Sequence, residues 1–278
     1  MIFMGLGGGG CSIAKSFYEV AGDGNQLFLF DTDQKYKLPK AKSMEEAEEK
    51  TPDFNLGLKN EDILFVICGG GTTSGHALRI LEQIQYNTID IIYVRPDLTL
   101  ANAEEKLREK VVFNVLQEMT RSGLFNRIVL VSNEHIASSN EDISLDNYHE
   151  KINETIEYVY GHINYFLSLK AVRSNLTAPN ETCRIVTVGL MDYESGDERT
   201  LFPMENIREK QVLFGLSQET LKDRKTLQKI QSLLTSIETN GILCSHKISS
   251  LEISDNLVFT INYTNFIQNQ VLLNNGEN

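Results

Sequence analysis

The sequence has no C-x-x-C pair and no cluster of metal-ligating residues: Cys11, Cys68, Cys183 and Cys244 are scattered singly, which excludes a zinc site of the usual spacing and leaves four reduced thiols. No run of about 18 apolar residues is present, so no membrane span is expected. The opening Met1-Ile2-Phe3-Met4 lacks the basic flank and long apolar stretch of a secretion signal, so the expectation is a cytoplasmic protein with no direct membrane contact. Positive charge is in the minority. Lysine and arginine number 26 against 38 acidic residues, and the net charge of -12 repels a polyanion, which argues against direct nucleic-acid binding. The Gly-Lys-Ser/Thr of a Walker A loop is missing too. A phosphate therefore has to be held by backbone N–H groups and helix N-termini, with Mg2+ neutralising the remainder.

What is present reads as strands alternating with helices. Ile2 to Met4 is a short apolar run that ends in Gly5-Leu6-Gly7-Gly8-Gly9-Gly10, after which Ile13, Ala14 and Phe17 recur at helical spacing. Leu27 to Phe30 is a second strand, stopping at Asp31-Thr32-Asp33, and a solvated stretch from Lys35 to Lys59 holds a short helix. Ile63 to Ile67 runs into Gly69-Gly70-Gly71-Thr72-Thr73-Ser74-Gly75 and then a helix with Leu78, Leu81 and Ile84. Ile89 to Val94 ends at Arg95-Pro96-Asp97; Ala101 to Ser122 is an amphipathic helix with Leu107, Val111, Val115 and Met119 on one face. Ile128 to Val131 is a fifth strand, ending at Ser132-Asn133. Nearly all-apolar strands joined by helices predict a Rossmann-like parallel sheet in an α/β fold, with ligands at the carboxyl ends of the strands.

A long helical pattern, with Tyr148, Ile152, Ile156, Val159, Ile163 and Phe166 on one side, follows from Leu145 to about Lys170. The chain thus divides into a nucleotide-binding domain (1–144), a central linking helix (145–172) and a smaller C-terminal α/β domain (173–278). In the last, strands are expected at Arg184 to Leu190, Gln211 to Leu216, Ile242 to Lys247 and Leu257 to Tyr263, with a helix from Gln218 to Glu238 and a frayed polar end at Asn274 to Asn278.

Four consecutive glycines between a strand and a helix allow backbone to approach a pyrophosphate closely, since no Cβ intervenes. Gly5-x-Gly7-x-x-Gly10 with Asp31 downstream also fits a dinucleotide fingerprint, so an NAD- or FAD-binding oxidoreductase stays open. The second loop, Gly69 to Gly75, adds the hydroxyls of Thr72, Thr73 and Ser74 to another strand-to-helix turn, and two such loops on one sheet imply one shared phosphate chain.

These segments resemble the tubulin and FtsZ superfamily, whose signature is G-G-G-T-G-S/T-G after the third strand and a glycine-rich loop after the first. Asp31-Thr32-Asp33-Gln34, Val94-Arg95-Pro96, Glu104 to Arg108 and Val131-Ser132-Asn133-Glu134 are similar to family segments in the same order, so the resemblance covers residues 1 to about 170. It implies a GTP/GDP-binding, filament-forming cytoskeletal protein that assembles head to tail with copies of itself and hydrolyses GTP on assembly, with an adaptor protein as a further partner. The phosphates would lie on Gly7, Gly8, Gly9, Gly10, Cys11 and Ser12 and on Gly69 through Gly75. Arg95 would lie near the ribose, and Asn133, Tyr148 and Asn153 on the base. His149 keeps the family's spacing to Asn153, but Tyr148 is the better stacking ring.

The sequence departs from the family at several points. Thr73 stands where the family has glycine, and the segment expected to sense the terminal phosphate, between Glu49 and Asn60, is short. The loop after the long helix, which in the family carries acids that act on the neighbouring subunit's nucleotide, reads Asn175-Leu176-Thr177-Ala178-Pro179-Asn180. Its nearest acid is Glu181; Glu194 and Asp197, in the turn from Asp192, have the acidic spacing farther along. Glu181, Glu194 and Asp197 are the catalytic candidates, and a relative that binds GTP without hydrolysing it is the other reading.

Overall fold

A computed structural model describes residues 1–99 and 101–269; the polar end from Asn274 lies outside the described residues. The chain order is β1 (Ile2–Leu6), α1 (Gly7–Ala21), β2 (Gln26–Phe30), α2 (Met44–Lys50), β3 (Asp62–Cys68), α3 (Ala77–Gln83), β4 (Thr88–Arg95), α4 (Ala103–Arg121), β5 (Arg127–Ser132) and α5 (Asn133–Ser138). It continues with α6 (Tyr148–Ser168), β6 (Ala171–Ser174), β7 (Ile185–Met191), β8 (Glu198–Thr200), β9 (Glu209–Ser217), α7 (Gln218–Lys222), α8 (Lys225–Glu238), β10 (Leu243–Leu251) and β11 (Leu257–Thr264). No helix among the described residues is long and apolar enough to cross a membrane.

The strands form a sheet in the order β2-β1-β3-β4-β5-β7-β11-β9-β10-β6, with β8 paired to β7. Strands β1 to β5 are mutually parallel, and β7 continues the direction by pairing with β5 at Ile128↔Ile185 and Val129↔Val186. Strand β11 runs the other way between β7 and β9, and β10 lies parallel to β9. The sheet therefore has a carboxyl edge, where β1, β3, β4, β5, β7 and β9 end, and an amino edge opposite. It runs without a break through the stretches expected on either side of the long helix.

Side chains alternate between the two faces of the sheet, and along the central strands both faces are interior. In β3, Ile63, Phe65 and Ile67 pack with α3 and α4, while Leu64 and Val66 pack with α1 and α6. That doubly buried pattern is why the strands read as continuous apolar runs. Farther along the sheet, Val212, Phe214 and Leu216 of β9 bury against Ile230, Leu234 and Ile237 of α8.

Three expectations change. Helix α4 buries Arg108, Glu109, Val112, Phe113, Leu116, Gln117 and Thr120, and Leu107 is exposed: its inner face is turned about one residue from the aliphatic row Leu107, Val111, Val115, Met119. The helix expected from Gln218 to Glu238 is two helices, broken at Asp223, where the backbone is extended. Strands β6 and β8 are additions, each too short to show an alternation.

Candidate functional site

Strand β1 has β2 on one side and β3 on the other, so the chain leaves β1 for one neighbour and returns to the other. This reversal opens a crevice at the carboxyl edge, the place where open α/β sheets bind ligands. Both glycine turns lie there.

The first turn is not a loop. Helix α1 starts at Gly7 itself, with no side-chain cap and no acidic residue in its first turn, so its leading N–H groups have no partner in a capping side chain. Gly8, Gly9 and Ser12 are exposed, and a Cβ on Gly8 would meet nothing within 4 Å. Gly7 has φ +70°, and a Cβ there would stand 2.5 Å from Thr73 Oγ1. A Cβ on Gly10 would lie 2.7 Å from the Val66 carbonyl, so the missing side chain lets α1 sit directly on β3.

The second turn bends at Gly69–Gly71 and closes as a 3-10 turn over Thr72–His76, again without a side-chain cap. Gly70 carries the positive φ, +76°; Thr73, which stands where the family has glycine, does not, so a β-branched residue fits there without backbone strain. The hydroxyls are not equivalent. Thr72 is exposed and Thr73 lies over Gly7, but Ser74 is fully buried and donates to the Gly71 carbonyl at 2.7 Å. Of the three hydroxyls this loop adds, one thus lies at the rim, one at the junction with the first turn and one is turned inward.

Two other candidates are also turned inward. Cys11 is buried, its thiol within 3.3 Å of the carbonyls of Gly5 and Phe30, and burial raises its pKa; only its backbone faces the helix start. Burial likewise pushes Cys68, beside Gly9, up to about 12, so neither thiol is a thiolate at neutral pH. Arg95, expected beside a ribose, is 8% exposed: its Nε donates to Glu109 Oε1 at 3.1 Å and its guanidinium lies over the Phe113 ring. Asp31, at φ +78°, is paired with Lys37 Nζ at 2.9 Å, which supplies an ammonium partner to the acid that a dinucleotide ribose would use.

Arg108 is the residue that sequence reading missed. It is buried and donates to the Gly70 carbonyl at 3.0 Å, bracing the second turn from behind with a positive charge. The signal was an arginine one residue off the aliphatic row of α4.

Asn133 opens α5 directly after β5, and Tyr148 opens α6 close enough to Asp97 and Glu134 for both carboxylates to act on its phenol. Burial, with those charges, pushes Tyr148 up to about 12. The oxygens Asn133 Oδ1 and Tyr148 Oη are both buried without a hydrogen-bond partner among the described residues, each costing about 1–3 kcal/mol if left so. Asn153, one turn into α6, has no hydrogen-bond partner for its amide among the described residues. A polar, half-buried recess thus adjoins the crevice.

The catalytic candidates fall on two different edges. Glu181 precedes β7 and is exposed on the amino edge, in a loop anchored by Asn180 N–H donating to Glu209 at 3.0 Å and by Arg184 donating to the Asn126 carbonyl at 3.0 Å. Asp192 to Asp197 is the turn between β7 and β8 and lies on the carboxyl edge, with Glu194 paired to Lys229 of α8. Glu194 and Asp197 therefore share the edge of the glycine turns. The amides of the expected catalytic loop are engaged at home: Asn175 Oδ1 accepts from His246 N–H at 2.7 Å and Asn180 Oδ1 from Thr182 N–H at 3.0 Å. Among the described residues no group of three or more His, Cys, Asp or Glu could hold a metal.

No protein-family model matches the chain, and no curated protein matches it by sequence. Solved structures do. It is similar to TubZ of Bacillus thuringiensis serovar israelensis, solved as a GTPγS-form protofilament, with 14% identity over 94% of this chain and 85% of that one at a TM-score of 0.67. CetZ2 of Haloferax volcanii, solved as a GTPγS-bound protofilament, gives 14% identity, 94% and 92% coverage and 0.67. An empty FtsZ dimer of M. jannaschii gives 10% identity, 95% and 87% coverage and 0.60. What is shared at these identities is the fold.

Proposed function

For a chain with a divergent form of the tubulin and FtsZ fold, we propose that it is a GTP/GDP-binding subunit that assembles head to tail into a filament, hydrolysing GTP at the subunit junction. The reading rests most on one observation: the two glycine turns meet at the sheet's switch point, with uncapped N–H groups on both, beside a recess whose Asn133 and Tyr148 oxygens are buried and unpartnered. Those features fit a nucleotide. Backbone of Gly7 to Ser12 and of Gly69 to Thr73 would hold the phosphates, with Arg108 bracing the second turn and supplying positive charge behind it. Asn133 and Asn153 would read the guanine edge and Tyr148 would stack on it. Magnesium, when bound, would neutralise the phosphate charge and be carried by the phosphates and water rather than by a protein cluster.

Head-to-tail packing brings the amino edge of one subunit onto the carboxyl edge of the next, a heterologous contact that does not close and so extends. Only Glu181 of the three candidate acids lies on the amino edge, so Glu181 is the carboxylate we assign to orienting water at the neighbour's nucleotide. Support for the non-hydrolysing reading comes from the same loop, whose asparagines are already committed within the subunit. The pairing of Asp31 with Lys37 weighs against the dinucleotide reading, in which that acid would hold a ribose.

Light scattering and phosphate release, followed together on adding GTP or ATP with magnesium, test the proposal. Scattering that rises with GTP alone and decays as phosphate appears is the expected result; binding without either leaves a non-hydrolysing protein, and no binding rejects the reading.

A further inference from the structure

His76 closes the second glycine turn, is 1% exposed, and joins that turn to a segment far from it in sequence. Its Nδ1 lies 2.7 Å from Thr51 Oγ1 and its Nε2 lies 3.1 Å from the Pro39 carbonyl. Thr51 caps the end of α2, and its hydroxyl also reaches the Ala47 carbonyl at 2.6 Å. One residue earlier, a Cβ on Gly75 would come within 3.0 Å of Ala47 Cβ and 3.3 Å of Met44 Sδ, so α2 is seated against the turn with no slack. Beyond Thr51, the stretch expected to sense a terminal phosphate is fastened elsewhere: Phe54 packs on Phe30 and Tyr36, and its N–H donates to Gln83 of α3 at 2.9 Å.

We propose that His76 is a positioning residue that makes the second glycine turn and the Pro39–Thr51 segment move as one body, so that α2 reports what occupies the turn. The hydrogen count supports a pin rather than a contact of convenience. The Pro39 carbonyl can only accept, so Nε2 carries a proton; in the neutral ring the one Thr51 hydroxyl proton then lies between two acceptors, the Ala47 carbonyl and Nδ1, so a single hydroxyl ties the end of α2 to the ring. A shift of the turn must break one of these buried bonds or carry α2 with it.

The inference rests on the nucleotide reading above, and the test separates the two. Amide hydrogen exchange over residues 44–51 is measured in the full chain, free and with GTPγS or GDP plus magnesium, for the wild type, Thr51→Val and Thr51→Ser. The expected result is that GTPγS slows exchange there about tenfold relative to GDP in the wild type and in Thr51→Ser. Thr51→Val, which keeps the shape and loses the hydroxyl, should respond less than about twofold while binding GTPγS within about threefold of wild type. An equal response in Thr51→Val, or none in a wild type with nucleotide bound, overturns the pin alone. A wild type that takes up no guanine nucleotide overturns the reading of the site and the relay with it.

Discussion

Thr73 lies over Gly7: the hydroxyl of one glycine turn occupies the space that a side chain on the other would need. The two turns are thereby closed against each other at one point, and substitutions on either side of it should separate folding from binding.

Gly7→Ala meets both the Thr73 hydroxyl and a positive φ, and we expect it to destabilise the protein by about 1–3 kcal/mol and to abolish nucleotide uptake. Gly8→Ala meets neither. It should raise stability by about 0.5–1 kcal/mol, as alanine does in a helix, while weakening nucleotide binding at least about tenfold. Denaturant titration and fluorescent-GTP binding on both variants check the pair.

Removing Asn153 tests the base. Asn153→Ala should lower GTP affinity by about tenfold, roughly one neutral hydrogen bond, without changing thermal stability. Equal GTP affinity in the variant would remove Asn153 from the recess.

The opposite edges give a mixing experiment. Glu181→Ala should bind GTP and assemble but release phosphate at least about 100-fold more slowly, whereas Glu194→Ala and Asp197→Ala should release it at the wild-type rate. Subunits carrying Glu181→Ala mixed with subunits carrying Gly7→Ala should regain part of the activity, because one junction then joins an intact crevice to an intact acid.

Glu109 is fully buried, and its partner Arg95 nearly so. Glu109→Ala leaves an arginine charge without its acid and should cost about 3–5 kcal/mol by urea unfolding; simultaneous replacement of Arg95 by methionine should return much of it.

Burial lowers the pKa of His76, His135 and His246 below the usual 6.5. The unfolded chain then binds protons that the folded chain refuses. Their contribution is fully present above about pH 6.5 and is lost as the pH falls toward the folded values. The melting temperature should therefore drop between pH 7 and 5.5, and His76→Gln should narrow the drop.

The sequence made legible what simple periodicity records. All five strands of the parallel half and the inner face of α6 from Ile152 to Phe166 lie where the apolar runs put them, because both faces of those strands are buried. The α4 face was misread for a physical reason: Arg108, Glu109 and Gln117 point inward with partners on the Gly70 carbonyl, Arg95 and Gln268, and a paired polar residue in a core looks in sequence like a solvated one. The same holds at the site. Glycines, the fold and the orphaned Asn133 and Tyr148 were in view, while the inward turn of Ser74, Cys11 and Arg95 depends on neighbours that only the sheet brings together.

Strand β11 lies between β7 and β9, which come before it in the chain and touch each other only through it. During synthesis β1 to β5 and then β7 can pair as each emerges, and β10 can pair with β9, but the facing edges of β7 and β9 stay open until residues 257–264 have left the ribosome. Strands β9, β10 and β6 are thus joined to the rest of the sheet in one late step, and the nascent chain is most exposed to misassociation in the interval before it.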